Sequence, residues 1–188
     1  NGHQGLVGRV TYKFKNRYMA EFNVGYNGTE NFAEGKRFGY FPAYSLGWIL
    51  SEEPFFPKGS FISYLKLRGS YGEVGNDKIG GSRFLYRLSS YTYGDSYNFG
   101  VAGSTFQSYG ASTEGTPGNP DLTWERAKKS NVGIDITLLN EKIRITTDYF
   151  MERRNNILTS PQTTPDIVGI TLPVQNWGKM KNSGFETE

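Results

Sequence analysis

Apolar and polar residues alternate with a period of two along most of this chain. That period marks a β-strand, because successive side chains leave a pleated backbone on opposite faces. From Tyr18 to Asn27 one face carries Tyr18, Ala20, Phe22, Val24 and Tyr26, and the other Met19, Glu21, Asn23, Gly25 and Asn27. A run of about ten residues suits a strand crossing a bilayer at a tilt. A soluble sheet with one wet face shows the same split.

The preceding run sets Leu6, Val10, Tyr12 and Phe14 against Arg9, Thr11 and Lys13. Only Lys15, Asn16 and Arg17 separate the two runs, so they are predicted to form a tight hairpin. Further strands are predicted over Ala43–Leu50, Tyr64–Gly72, Lys128–Leu138 and Ile143–Arg153, with the start of a seventh at Asn182–Glu188. The turn Leu139–Lys142 is short. Pro54 and Pro57 interrupt pairing after the third strand, and Ser51-Glu52-Glu53-Pro54 suits one helical turn. Residues 75–122 read as one long irregular loop. Short and long connections therefore alternate, as they do at the two ends of an outer-membrane barrel. The connection 51–63 falls on the short side and is longer than that pattern prefers. The fold class expected is all-β: an antiparallel up-and-down transmembrane barrel segment of about seven strands.

Composition agrees. The 188 residues include 24 Gly, 13 Tyr and 13 Phe. Gly is thus well above its usual share of roughly 7%. Such a mixture favours strands and turns over a helical core. There is no Cys, which removes disulfides and thiolate sites. A net charge of +3, with both signs interspersed, gives no basic block for nucleic acid. No apolar run approaches the ~18 residues of a membrane-spanning helix. The chain opens at Asn1 without Met or a leader-like segment, which is read as a removed signal peptide or a cut from a longer protein.

Catalysis finds little support. His3, the lone His, lies beside the start of the chain, so no triad or multi-His metal site is expected. Adjacent Glu52 and Glu53 suit a turn better than a glycosidase pair, which must face each other across a substrate. Gly72, Gly75, Gly80 and Gly81 lack the Lys-Ser/Thr of a phosphate loop. Asn76 and Asp77 lack Ca²⁺-loop spacing. No enzyme, cofactor or metal is expected.

Two residue sets are candidates for binding. The long loop holds Tyr91, Tyr93, Tyr97, Phe99, Phe106 and Tyr109 among Gly and Ser. Aromatic faces stack on sugars and peptide side chains, but such rings also fold a loop onto itself or join an interfacial girdle. In a barrel the polar faces look inward, which assigns Arg9, Lys13, Glu21, Asn23, Lys66, Arg68, Asp135, Arg144 and Asp148 to the lumen. They would form a hydrated wall meeting a plug through ion pairs, or line a substrate path. Trp124 and Tyr44 read as girdle residues.

Several strings then resemble SusC-like TonB-dependent receptors. Phe32-Ala33-Glu34-Gly35-Lys36-Arg37-Phe38-Gly39-Tyr40-Phe41-Pro42-Ala43 is similar to the family's RFA-x-G-x-RWG-x-FPS, followed by Gly47-Trp48. Leu65-Lys66-Leu67-Arg68-Gly69-Ser70-Tyr71-Gly72 with Gly75-Asn76-Asp77 and Ile79-Gly80 resembles LKLRASYG-x-x-GND-x-IG. Asn119-Pro120-Asp121-Leu122-Thr123-Trp124-Glu125 and Asn182-Ser183-Gly184-Phe185-Glu186 match NP-x-LTWE and N-x-G-x-E. Asn31 stands where Arg is frequent, and Phe38 where Trp is. The strings fall in family order across nearly the whole chain.

The resemblance implies that residues 1–188 are part of a roughly 22-stranded plugged barrel in the outer membrane of a Gram-negative bacterium, without its plug domain and remaining strands. It further implies import of a glycan or oligopeptide, a SusD-like surface lipoprotein at the mouth, and a TonB complex acting on a segment upstream. The rival readings are a soluble β-sandwich that binds carbohydrate, a β-glycosidase and a diffusion porin.

Overall fold

The computed structural model describes residues 2–57, 61–78, 83–87, 91–100, 107–139, 141–161, 169 and 171–188. Nine strands follow one another: β1 (His3–Phe14), β2 (Tyr18–Thr29), β3 (Phe38–Ile49), β4 (Ile62–Asn76), β5 (Tyr91–Phe99), β6 (Gln107–Glu114), β7 (Glu125–Leu138), β8 (Ile143–Thr159) and β9 (Gln175–Thr187). Seven form a single antiparallel sheet in the order β1-β2-β3-β4-β7-β8-β9, and β5 pairs with β6 apart from it. The sheet is open, so no barrel closes within these residues.

The register puts every apolar set on one face. Leu46 lies opposite Ala20 and Gly69, and the same row continues to Tyr12 on one side and to Val132, Tyr149 and Phe185 on the other. A β-sandwich would cover such a face with a second sheet. Here it lies open: Leu46 is 68%, Val132 65% and Phe185 77% exposed. Among the described residues no helix is long and apolar enough to cross a membrane.

The short connections share one end. Lys15 and Asn16 adopt left-handed φ of 50° and 53° between β1 and β2, and Leu139 and Glu141 do so at 53° and 69° between β7 and β8. Such turns match the twist of the flanking strands. A 3-10 turn, Leu50–Glu52, follows β3. Rings stack along the open face at this end: Tyr12 on Phe14, Phe14 near Tyr18, and Tyr18 on Trp48, at 6.2–6.5 Å between centroids. Glu53 pins them. Its carboxylate accepts from Trp48 Nε1 at 3.0 Å and from Arg17 Nη1 at 3.4 Å. Hydrogen bonds from the Tyr18 hydroxyl and the Trp48 indole hold its pKa below the ordinary value. A carboxyl depressed on folding stabilises above its unfolded value near 4.5, and that contribution fades as pH falls through the folded value. Wild type minus Glu53→Gln, compared by unfolding over pH 3 to 7, is expected to show a difference that shrinks below about pH 4.5. A pH-independent difference would remove the carboxylate from this role.

Sequence periodicity sees only part of most strands. Every strand of the large sheet extends beyond its expected end toward the long loops, and β4 also begins two residues early at its other end, at Ile62. Alternation tracks apolar against polar, and on β4, β7, β8 and β9 the open face turns charged at Glu73, Lys128, Arg153 and Lys181 while backbone pairing continues. Pro42 sits within β3, one position past the last β3–β4 pair, Ala43 with Gly72, where a missing N–H is tolerated. Residues 75–122 are not simply irregular, because they include the end of β4 and the β5–β6 hairpin.

Trp124 is not a girdle residue. It is 5% exposed in a cluster with Phe32, Phe41 and Leu122, against which Leu85, Leu158 and Val174 pack. Its Nε1 donates to the Arg37 carbonyl at 3.2 Å. Gly75 leaves the space the Phe41 ring occupies, since a Cβ there would stand 2.0 Å from that ring. This cluster ties together the bases of the long loops. Asn176 reinforces it by accepting from the Thr123 N–H at 2.9 Å and donating to the carbonyls of Thr123 and Asn156.

Candidate functional site on the polar face and at the mouth

All nine charged or polar residues assigned to the lumen share the face opposite the apolar rows. Arg9 pairs with Asn23, Lys66 with Asp135, and Arg68 with Gly133, beyond which lies Asp148. Glu21, opposite Thr11, lies one row from the Arg9–Asn23 pair toward the short turn, Lys13, opposite Met19, lies two rows away on the same side, and Arg144 lies opposite Thr137. The structure resolves this face into ion clusters. Arg9 Nη2 meets Glu21 Oε2 at 2.5 Å, and Asn23 Nδ2 donates to the other oxygen at 2.7 Å. Arg68 donates Nε to Asp135 at 3.2 Å and Nη2 to Asp148 at 2.5 Å.

Gly133 lies under that triad, and a Cβ there would fall 2.5 Å from Asp148 Oδ1. That oxygen is buried and has no hydrogen-bond partner among the described residues. Lys13, Lys66 and Arg144 have no carboxylate within ion-pair distance among the described residues. Removing the guanidinium leaves two carboxylates sharing one site. Arg68→Met is expected to destabilise the intact barrel by about 1–2 kcal/mol, a figure reduced for partial exposure. Adding Asp148→Asn should recover part of it, as equilibrium unfolding in a double-mutant cycle would register. Strict additivity would show that the two residues do not interact.

A second cluster escaped sequence reasoning. Arg154 bonds Glu152 at 2.8 Å and Glu125 at 3.1 Å, Lys129 approaches Glu152 at 3.8 Å, and Asn76 donates to Glu125 at 3.4 Å. Glu152 could have been found, since it follows Asp148 by four residues on the same strand face. Glu125 could not, because it lies ahead of the apolar alternation of β7. His3 Nδ1 lies 3.6 Å from Asp77 Oδ2, which also accepts from Asn31 Nδ2 at 3.3 Å.

The loop aromatics divide into two groups. A bulge at Gly94, where φ is 141°, shifts the β5–β6 register between Tyr93 and Asp95. Tyr97 lies opposite Tyr109 and Phe99 opposite Gln107, so these rings share one face. Phe99 and Tyr109 meet edge to face with centroids 5.7 Å apart. Tyr91 and Tyr93, opposite Glu114 and Ser112, fall on the other face. Phe106, Gly80 and Gly81 lie outside the described residues.

An open antiparallel sheet with one exposed apolar face, girdled by rings and backed by a charged face, is a segment of a membrane β-barrel wall. Comparison with known proteins agrees. The family described as TonB dependent receptor-like, beta-barrel, matches residues 3–188. The chain is 28% identical to TonB-dependent receptor P3 of Formosa agariphila over 183 residues, covering 96% of this chain and 17% of that protein. It is 31% identical to TonB-dependent receptor SusC of Bacteroides thetaiotaomicron over 179 residues, 95% of this chain and 17% of that one. Among solved structures, the RagAB peptide importer in its closed-closed state superposes with TM-score 0.79 at 24% identity, over 98% of this chain and 19% of that chain. The siderophore receptor PirA from Pseudomonas aeruginosa gives 0.57 at 14% identity, over 98% of this chain and 30% of that chain. These two show the fold. The chain belongs to the TonB-dependent receptor β-barrel family, and it spans about a sixth of the length of the curated relatives it matches.

Proposed function

We infer that these residues form part of the wall and mouth of an outer-membrane active transporter in a Gram-negative bacterium. The transporter takes up a nutrient, an oligopeptide or a glycan, rather than acting on it chemically. The observation that carries this reading is the two-faced sheet, one face open and apolar, the other laced with ion clusters around Arg68 and Arg154. Membership of the receptor family supports it. A plug domain, contributed by the rest of the protein, meets the charged face. Among the described residues, Lys13, Lys66 and Arg144 are the cations of that face without a carboxylate partner, and they pair with the plug. A TonB complex drives transport from the periplasmic side, and a SusD-like lipoprotein closes over the mouth beside the β5–β6 hairpin.

The RagAB peptide importer shares this fold, which sets a peptide beside the glycan that the resemblance to SusC-like receptors implies. Fractionation of source cells with an antibody to this segment tests the first step. A heat-modifiable outer-membrane band several times larger than 21.1 kDa is expected. A soluble band at that mass would overturn the reading. Growth of a deletion strain on oligopeptides or on glycans as sole carbon source then decides between the two cargoes.

A further inference from the structure

The open face of the seven-stranded sheet is almost free of charge, except in one place. Along β1, β2 and β3 every residue of that face from Gln4 to Trp48 is uncharged. On β4, β7, β8 and β9 six charges lie at the end toward the long loops: Glu73, Arg126, Lys128, Arg153, Lys179 and Lys181. Register assigns them to two successive rows. Glu73 lies opposite Lys128, Lys128 opposite Arg153, and Arg153 opposite Lys181. Arg126 is one step nearer the mouth opposite Asn155, and Lys179 is the next residue outward on the same face of β9.

Five cations against one carboxylate leave four positive charges, more than the +3 of the whole chain. Glu73 is already shared, lying 3.2 Å from Arg126 and 3.4 Å from Lys128. Arg153, Lys179 and Lys181 have no carboxylate partner among the described residues. The polar face of the same strands is different, with Lys129 and Arg154 both held by Glu152.

The position of the patch identifies its occupant. The apolar belt runs directly into it: Tyr71, one residue-pair below, donates its hydroxyl to Glu73 at 3.0 Å, and Met151 and Ser183 lie in Tyr71's row. Trp177, 66% exposed, stands on the same face of β9 beside the lysines. The rows that are charged on β7 to β9 are still apolar on β1 to β3, at Val24, Pro42, Tyr26 and Tyr40. That obliqueness is what strands tilted ~40° to the bilayer normal require. It brings the cations to the edge of the hydrocarbon, next to an interfacial Trp. Two strand spacings, about 10 Å, separate the ends of the Lys128–Arg153–Lys181 row. A headgroup carrying more than one phosphate fits that span.

We propose that Lys128, Arg153 and Lys181, flanked by Arg126 and Lys179, hold the phosphates of an anionic lipid headgroup in the outer leaflet. The site rests on the membrane reading above. It requires the outer face of β7–β9 to meet lipid rather than a second protein.

The test uses the full-length receptor reconstituted singly in nanodiscs. Heat-modifiable migration establishes the barrel first, and its absence would refute the membrane reading rather than this site alone. The nanodiscs contain phosphatidylcholine with either bis-phosphorylated lipid A or the same lipid A after phosphatase treatment. Thermal stabilisation and lipid retained through detergent exchange are read for wild type, for the Lys128→Gln/Arg153→Gln/Lys181→Gln variant, and for Lys15→Gln/Lys142→Gln in the short turns at the other end. Wild type should retain the phosphorylated lipid about a hundredfold better than the triple variant, at roughly fivefold for each of three cations. The advantage should fall with salt, vanish on the dephosphorylated lipid and survive in the short-turn variant. Inorganic phosphate alone should not reproduce it. Equal retention by wild type and triple variant, or equal retention of both lipids, would overturn the proposal. So would a charge-dependent association of the receptor with itself in its place.

Discussion

Trp124→Ala is expected to cost the receptor about 3–5 kcal/mol, with the loss concentrated at the mouth. The side chain is nearly fully buried among Phe32, Phe41 and Leu122 and contacts both rings, at 5.6 and 5.2 Å. Truncation leaves a cavity between chain segments with little else to fill it, and orphans the Arg37 carbonyl that the indole N–H satisfies. Hydrogen exchange should show the change spatially. Protection should fall around residues 31–41 and 119–127 while the stacked rings at the opposite end, Tyr18 on Trp48, stay protected. A cost below about 1 kcal/mol would mean that Trp124 lies on the surface, as a girdle residue would.

The second large effect has a size that depends on the solvent. Leu46 occupies the middle row of the open face, between Ala20 and Gly69. In lipid, Leu46→Arg should cost about 2–4 kcal/mol near the bilayer midplane and reduce the heat-modifiable form in the outer membrane. In a soluble sheet the same change would replace an exposed apolar side chain by a charged one and be close to neutral. Val132→Arg, one strand beyond Gly69 in the same row, should behave alike. Normal assembly of both variants would refute the lipid-facing assignment.

Much of this architecture could be read in the residues. Tyr18–Tyr26 and Val132–Leu138 alternate so regularly that the strands and the common face of Arg68, Asp135 and Asp148 follow from period two, though not which of those three meet. The missing parts have physical causes. The upper ends of β4, β7 and β8 were missed because alternation of hydropathy stops at the membrane boundary, whereas hydrogen bonding does not. The β5–β6 hairpin was hidden by its own composition, since Gly, Ser and Tyr give no apolar face to count. Trp124 stands alone in a polar stretch, and its partners Phe32 and Phe41 come from more than eighty residues upstream, so nothing local announces its burial. The Glu125–Arg154–Glu152 cluster depends on register between strands, which one strand's pattern cannot fix.

The seam between β4 and β7 runs unbroken to its outermost pair, Asn76 with Glu125, even though the chain leaves and returns between them. The wall is therefore complete before the intervening segment begins. Closing a flexible segment costs only about 0.6 kcal/mol more each time its length doubles. The β5–β6 hairpin within that segment is thermodynamically cheap to lengthen, shorten or replace, because neither a ladder bond of the large sheet nor the Trp124 cluster depends on it. The aromatic hairpin is in this sense an interchangeable cartridge on a fixed mount. Selection can retune the mouth of such a receptor for a new cargo without renegotiating how its wall sits in the membrane.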